Sequence, residues 1–114
     1  MVNKWEIYFC NLDPTVGSEQ RGTRPVLIIS TDAVNHNLPV STVIPISSVK
    51  QGDKIYPTEV MLEEEKSGLP KLSVAMLQQI RTISHSRLNN MAGRISDTKI
   101  QEKILDACRN FFDL

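Results

Sequence analysis

The sequence predicts a mainly β fold, a small antiparallel barrel with one helix packed on it at the C-terminus. Three observations carry that expectation. Short runs rich in β-branched and aromatic residues recur between turn residues from Trp5 to Ile83. Apolar residues at helical spacing recur clearly only in the tail after Asp97. Strand-length and helix-length segments do not alternate, and no stretch repeats, so neither a parallel sheet nor a repeat array is expected.

Trp5–Leu12 reads as a first strand, ended by Asp13-Pro14. A loop over Gly17–Pro25 follows, then Val26–Ser30, a continuous apolar run of strand length that suits burial on both faces. Thr31–Pro39 has loop chemistry. Val40–Val49 is again β-rich, but Pro45 donates no ladder hydrogen bond and predicts an edge or a bulge, where the chain bends. Lys50–Asp53 is a turn, Thr58–Leu62 a strand, and Glu63–Pro70 an acidic loop punctuated by Gly68 and Pro70. Ser73–Ile83 reads as one strand and Ser86–Met91 as a short helix before Gly93. In the tail, Ile100, Ile104, Leu105, Cys108, Phe111 and Phe112 make an amphipathic stripe, with Ser96 or Asp97 as N-cap.

At 114 residues the chain is expected to be a single domain over residues 1–114, large enough to bury a core without metals or disulfides. No apolar run approaches the ~20 residues of a membrane span. The first residues, Met1-Val2-Asn3-Lys4-Trp5-Glu6, lack a signal-peptide core, so the expected location is cytoplasmic with no membrane partner. Cys10 and Cys108, in an expected strand and helix, fit reduced core residues better than a disulfide or a metal site. The formal net charge is zero, which taken alone argues against a nucleic-acid binder. Its distribution argues otherwise: Lys71–Ser96 holds Lys71, Arg81, Arg87 and Arg94 and no acid, while acids gather in Asp53–Glu65 and after Asp97. One basic face inside a neutral total would suit a polyanion.

The chain is organised around Gly17-Ser18-Glu19-Gln20-Arg21-Gly22-Thr23-Arg24-Pro25. Two glycines bracket a polar loop that calls for unusual backbone angles or close approach to a ligand. Pro25 pushes Arg24 into an extended conformation, so an always-charged planar fork leaves the loop at the mouth of a buried strand. Such a group suits a phosphate or a developing oxyanion, and equally a surface salt bridge. Other constellations carry less. His36 sits in an Asn-rich loop and His85 in Ser84-His85-Ser86, with no partner that would make a two-histidine site. A hydrolase pair of His85 with Ser84 or Ser86 lacks a nucleophile elbow. No Cys/His metal spacing or phosphate loop is present, and no cofactor is expected.

These residues resemble the MazF/PemK toxins of bacterial toxin–antitoxin modules. The resemblance is carried by Asn11–Gln20, Gly22–Ser30, Ser67–Val74, Gln79–Ile83 and Arg87-Leu88, in that order, and covers most of the chain. It implies an SH3-like barrel of the kind shared with CcdB and Kid, and a homodimer that cleaves single-stranded RNA, usually messenger RNA, at short sequences without metal. It also implies an acidic MazE/PemI-like antitoxin as partner. Carried over by position, the catalytic set is Arg24, Ser47 and Glu19, with Ser47 where the family commonly has Thr. Ser48 next door leaves the hydroxyl's register open by one. Glu19 is either the base or the group that holds Arg24. Gln20, Arg21, Thr23, Ser48, Gln79, Arg81 and Arg87 are the RNA-binding candidates. The same barrel serves the non-catalytic CcdB-like gyrase poisons. Those would need neither the Glu19/Arg24/Ser47 set nor the basic Lys71–Arg94 stretch.

Overall fold

Seven strands form one antiparallel sheet: β1 (Glu6–Asn11), β2 (Thr23–Ile28), β3 (Val40–Ser48), β4 (Glu59–Leu62), β5 (Ser73–Met76), β6 (Arg81–Ser84) and β7 (Leu88–Arg94). The computed structural model describes every residue, Met1–Leu114. The strand order is β4–β5–β3–β2–β1–β7, with β6 also on β3. The sheet curls without closing, since β4 and β7 end it and do not pair. Two one-turn helices, α1 (Asp32–Asn35) and α2 (Glu64–Ser67), interrupt segments expected to be loops, and α3 (Thr98–Phe112) ends the chain. Asp97 is the N-cap of α3, its carboxylate accepting from Lys99 N–H at 2.8 Å and Ile100 N–H at 3.1 Å.

The sheet separates two cores. Ile7, Leu27, Ile44, Ile46, Ala75 and Leu77 join Ile104 and Ala107 of α3 in the larger one. Cys10, Leu12, Val26, Ile28, Val43 and Ile83 form a smaller one on the opposite face of β1–β3. This two-faced burial is why Val26–Ser30 reads as a run and not as an alternation. Strand β1 begins one residue later than expected. Trp5 takes φ 75°, which turns the chain sharply while its N–H donates to Ile28 C=O and its C=O accepts from Ile95 N–H, both at 2.8 Å.

Pro45 is where β3 changes neighbours. One edge pairs with β6 through Val40–Val43 and with β5 through Ile46–Ser48, and the register slips by three residues between Val43↔Arg81 and Ile46↔Ala75. The three extra residues are the 3₁₀ turn Leu77–Gln79. The segment read as one strand, Ser73–Ile83, is therefore two strands split by a turn, and Pro45 lies at the gap where no ladder N–H is needed.

The expected helix at Ser86–Met91 is not formed. A single 3₁₀ turn, His85–Arg87, leads into β7, which pairs with β1 through Leu88↔Cys10, Tyr8↔Met91 and Ile7↔Gly93. Pairing with β1 overrides the weak local preference of Leu88-Asn89-Asn90. Gly93 is required there by contact: a Cβ on it would stand 2.0 Å from the Ser67 carbonyl oxygen. The apolar stripe of α3 also ends differently from expectation, because Phe111 and Phe112 remain 39% and 51% exposed beyond the edge of the core.

Candidate functional site

The loop between β1 and β2 closes where Leu12 N–H donates to Gly22 C=O at 3.0 Å. Gly17 and Gly22 take φ of 58° and 79°, the left-handed angles expected of them. The Asp13 carboxylate accepts from Gly22 N–H at 3.2 Å, and that of Glu19 accepts from Val16 N–H while Glu19 N–H returns a bond to Val16 C=O at 3.2 Å. Glu19 is thus engaged inside the loop and makes no ion pair with Arg24.

Three side chains far away in sequence hold this loop. The Gln79 amide accepts from Gln20 N–H at 2.9 Å and donates to Ser18 C=O at 3.1 Å. Arg81 donates to Leu12 C=O at 3.0 Å, and one Arg87 nitrogen donates to Asn11 C=O at 3.2 Å and to Asp13 C=O. Arg21 likewise donates to Gly17 C=O at 3.0 Å. Arg24 Nε–H donates to Arg21 C=O at 3.1 Å, and the Gln20 amide, turned oxygen-inward, accepts from Arg24 Nε at 3.0 Å and Nη2 at 3.3 Å. The carboxylates within ion-pair distance of a basic side chain face His36, Lys66 and Arg109, so none of Arg21, Arg24, Arg81 and Arg87 is neutralised by a carboxylate. Neutral carbonyls fix these guanidinium groups and leave their charge available to an anion.

Strand alternation sorts the remaining candidates. Along β2, Val26 and Ile28 face the smaller core, and Leu27 the larger; along β3, Val43 faces the smaller, Ile44 and Ile46 the larger. Arg24, Pro45 and Ser47 therefore share one face, Thr23, Pro25 and Ser48 the other. The β2–β3 ladder ends at Val26↔Pro45, two residues short of both Arg24 and Ser47. The Ser47 hydroxyl is half-exposed, and its one bond in the chain is to Ser48 C=O, at the 3.5 Å limit. On the Arg24 face, Glu19, Gln20, Pro45, Gln79 and Arg81 line a cavity of about 240 Å³. Strand alternation thus puts Arg24 and Ser47 on one face, Gln20 reaches both Arg24 and the cavity it lines with Gln79 and Arg81, and Arg24 itself joins Thr23 and Ser48 in lining a second cavity.

The histidines stand apart. Ser41 is buried and its hydroxyl lies 2.7 Å from both Asn35 Oδ1 and His85 Nε2. Asn35 Oδ1 only accepts, so Ser41 donates to it and receives from His85 Nε2–H. That tautomer makes His85 a donor to the hydroxyl and not its base. His36 Nε2 lies 2.8 Å from Asn3 Oδ1, in a separate network. The Cys10 thiol is pushed up by burial, partly offset by Arg81 and Arg87, so it stays protonated as a core residue. No three His, Cys, Asp or Glu side chains converge.

Sequence reading missed the clamps. Nothing local marks Gln79, Arg81 and Arg87 as holders of a loop that they reach across 59 to 76 residues. It also missed Phe9, read only as a strand residue, which is 38% exposed in the second cavity.

Comparison with known proteins identifies the family. The family model described as PemK-like, MazF-like toxin of type II toxin-antitoxin system matches residues 3–112. Endoribonuclease EndoA of Bacillus subtilis (strain 168) is 37% identical over 107 residues, covering 94% of this chain and 90% of that protein. The Mycobacterium tuberculosis toxin MazF-mt6 superimposes with a TM-score of 0.77 at 28% identity, over 96% of this chain and 97% of that one. A mycobacterial endoribonuclease solved in complex with its cognate antitoxin shares the fold, with a TM-score of 0.80 at 19% identity over 100% and 97%. With a match from end to end of the fold, and the loop, Arg24 and the clamps all inside it, this chain belongs to the PemK-like, MazF-like toxin family.

Proposed function

We propose that this chain is a sequence-specific endoribonuclease, the toxin of a toxin–antitoxin pair, that cuts single-stranded messenger RNA and so stops translation. The observation that carries the reading is Arg24: a guanidinium leaving a rigid strand, braced by Gln20 and the Arg21 carbonyl, with no carboxylate to neutralise it. RNA brings its own nucleophile. The 2′-OH attacks the adjacent phosphorus and its proton goes to a base; the P–O5′ bond breaks and the leaving oxygen takes up a proton. The products are a 2′,3′-cyclic phosphate and a 5′-OH end. The chain must align that attack and stabilise charge on the non-bridging oxygens. Arg24 supplies the charge and Ser47 a neutral hydrogen bond from the same face. Glu19, exposed at the rim of the adjoining cavity, is the carboxylate to receive the 2′-OH proton. Gln20, Arg21, Gln79, Arg81 and Arg87 shape and charge the surface over which the strand runs.

The active species is a cytoplasmic homodimer: Met91, Phe111 and Phe112 are exposed apolar groups that a second copy would cover. A disordered acidic antitoxin segment, laid over the same unneutralised arginines, would compete with RNA. The test is cleavage of a long RNA in excess EDTA with the ends mapped. Cyclic phosphate and 5′-OH ends from wild type, loss with Arg24→Ala and little rescue by Arg24→Lys are expected, since an ammonium does not reproduce the fork. Intact RNA together with inhibition of gyrase would favour the non-catalytic alternative.

A further inference from the structure

The second cavity lies where the larger core runs out between the ends of β1, β2 and β3. Its volume is about 200 Å³, below the roughly 300–1,000 Å³ of a drug-sized site, so it admits one small planar group and not an extended molecule. Phe9, Pro25 and Ile46 give it an apolar floor, and Phe9 presents 38% of its surface. Hydroxyls of Thr23 and Ser48 stand exposed at the wall. Ser73 spends its proton on Lys71 C=O at 2.9 Å and keeps its oxygen as an acceptor. Arg24 and Lys71 are the charged residues of the lining, and both are cations.

We propose that this cavity is a nucleobase subsite, in which one base of the RNA stacks on Phe9 and its edge is read by the Thr23 and Ser48 hydroxyls. The inference rests on the endoribonuclease reading. A base is flat, has an apolar face and carries donors and acceptors only on its rim, which matches an apolar floor under a hydroxylated wall. Its backbone is anionic and needs the cations that flank the opening. Because Arg24 itself lines the opening, a base held here belongs to a nucleotide next to, or one removed from, the phosphate at Arg24. An apolar side chain of a protein partner would use the floor and leave the hydroxyls without a role.

The experiment combines an abasic scan with Phe9→Leu, which keeps apolar bulk and removes the aromatic face. A cleavable oligonucleotide is made with one base deleted at each position in turn, and kcat and KM are measured for both proteins. For wild type, one position should lose roughly tenfold or more in kcat/KM, the scale of one base–aromatic stack, mostly through KM. In Phe9→Leu the intact substrate should lose as much, and deletion at that same position should add little. Phe9→Tyr should behave as wild type. Penalties from Phe9→Leu and each deletion that simply multiply at every position would overturn the subsite. So would normal RNA cleavage by Phe9→Leu with weakened antitoxin binding, which would make the cavity a protein-docking surface. Failure of wild type to cut any RNA would remove the underlying reading as well, and is told apart by the first lane.

Discussion

Gln79→Ala isolates the clamp on the β1–β2 loop. The substitution deletes two hydrogen bonds, from Gln20 N–H at 2.9 Å and to Ser18 C=O at 3.1 Å. Each is worth about 0.5–1.5 kcal/mol net, and the half-exposed setting puts both in the lower part of that range, about 1–2 kcal/mol together. A bias of that size multiplies the open population of the loop roughly 5–30-fold. The assay is native-state hydrogen exchange, which reports local opening amide by amide. The Gln20 amide should exchange faster by that factor, while amides in the β2–β3 ladder keep their rates. Gln79→Glu divides the effect: it keeps the acceptor for Gln20 N–H but turns an oxygen toward Ser18 C=O, so Gln20 stays better protected than in Gln79→Ala. RNA cleavage by Gln79→Ala should fall by up to about tenfold, because Gln20 braces Arg24. Unchanged Gln20 exchange in both variants would refute the clamp.

Ser47→Ala should lower kcat roughly 10²-fold with little change in RNA affinity, Ser47→Thr should stay active, and Ser48→Ala should leave kcat near wild type; the reverse order for the two serines would show the register to be off by one. Gly93→Ala forces the Ser67 carbonyl back by about 1 Å, an overpacking worth about 1–3 kcal/mol, and calorimetry should find the melting temperature lower by roughly 5–20 °C. The Asp97 carboxyl is held at about 2, below the ordinary 3.8, chiefly by Lys66 Nζ at 2.7 Å and then by the N–H groups of α3. A depressed acid stabilises above its unfolded value, and that contribution fades as pH falls from 3.8 toward 2. Asp97→Asn retains a capping oxygen, so its denaturation midpoint should lie below wild type at neutral pH by an amount that holds down to about pH 5 and shrinks below pH 4. A deficit that persisted at pH 2 would locate the effect outside this charge.

What could be read from the sequence was what short-range chemistry dictates. Gly17, Gly22 and Pro25 specify backbone angles by themselves, so the loop and the exit of Arg24 were visible before any fold. Asp97 capping a stripe of apolar residues did the same for α3. Pro45 announced a discontinuity but not its nature, because the three-residue slip belongs to the partner strands. Leu88–Arg94 carried no strong preference, and β1 decided it. The Arg24 face needed strand alternation as well: nothing in Ser47-Ser48 says which hydroxyl shares a face with Arg24 until the cores that Val43 and Ile44 enter are known.

The loop that carries Glu19 and Gln20 is made early in the chain, yet its fastenings come from Gln79, Arg81 and Arg87. Synthesis runs from the N-terminus, and the β1–β2 hairpin can form as soon as its two strands emerge. The loop at its tip then has only its own internal hydrogen bonds until the last third of the chain has been made and β6 and β7 have been laid against it. A nascent or truncated chain ending before Gln79 therefore holds Arg24 on a tip that lacks these clamps. For a protein proposed to act on the message being translated, the order of manufacture acts as a safety catch that releases only when the sheet is complete.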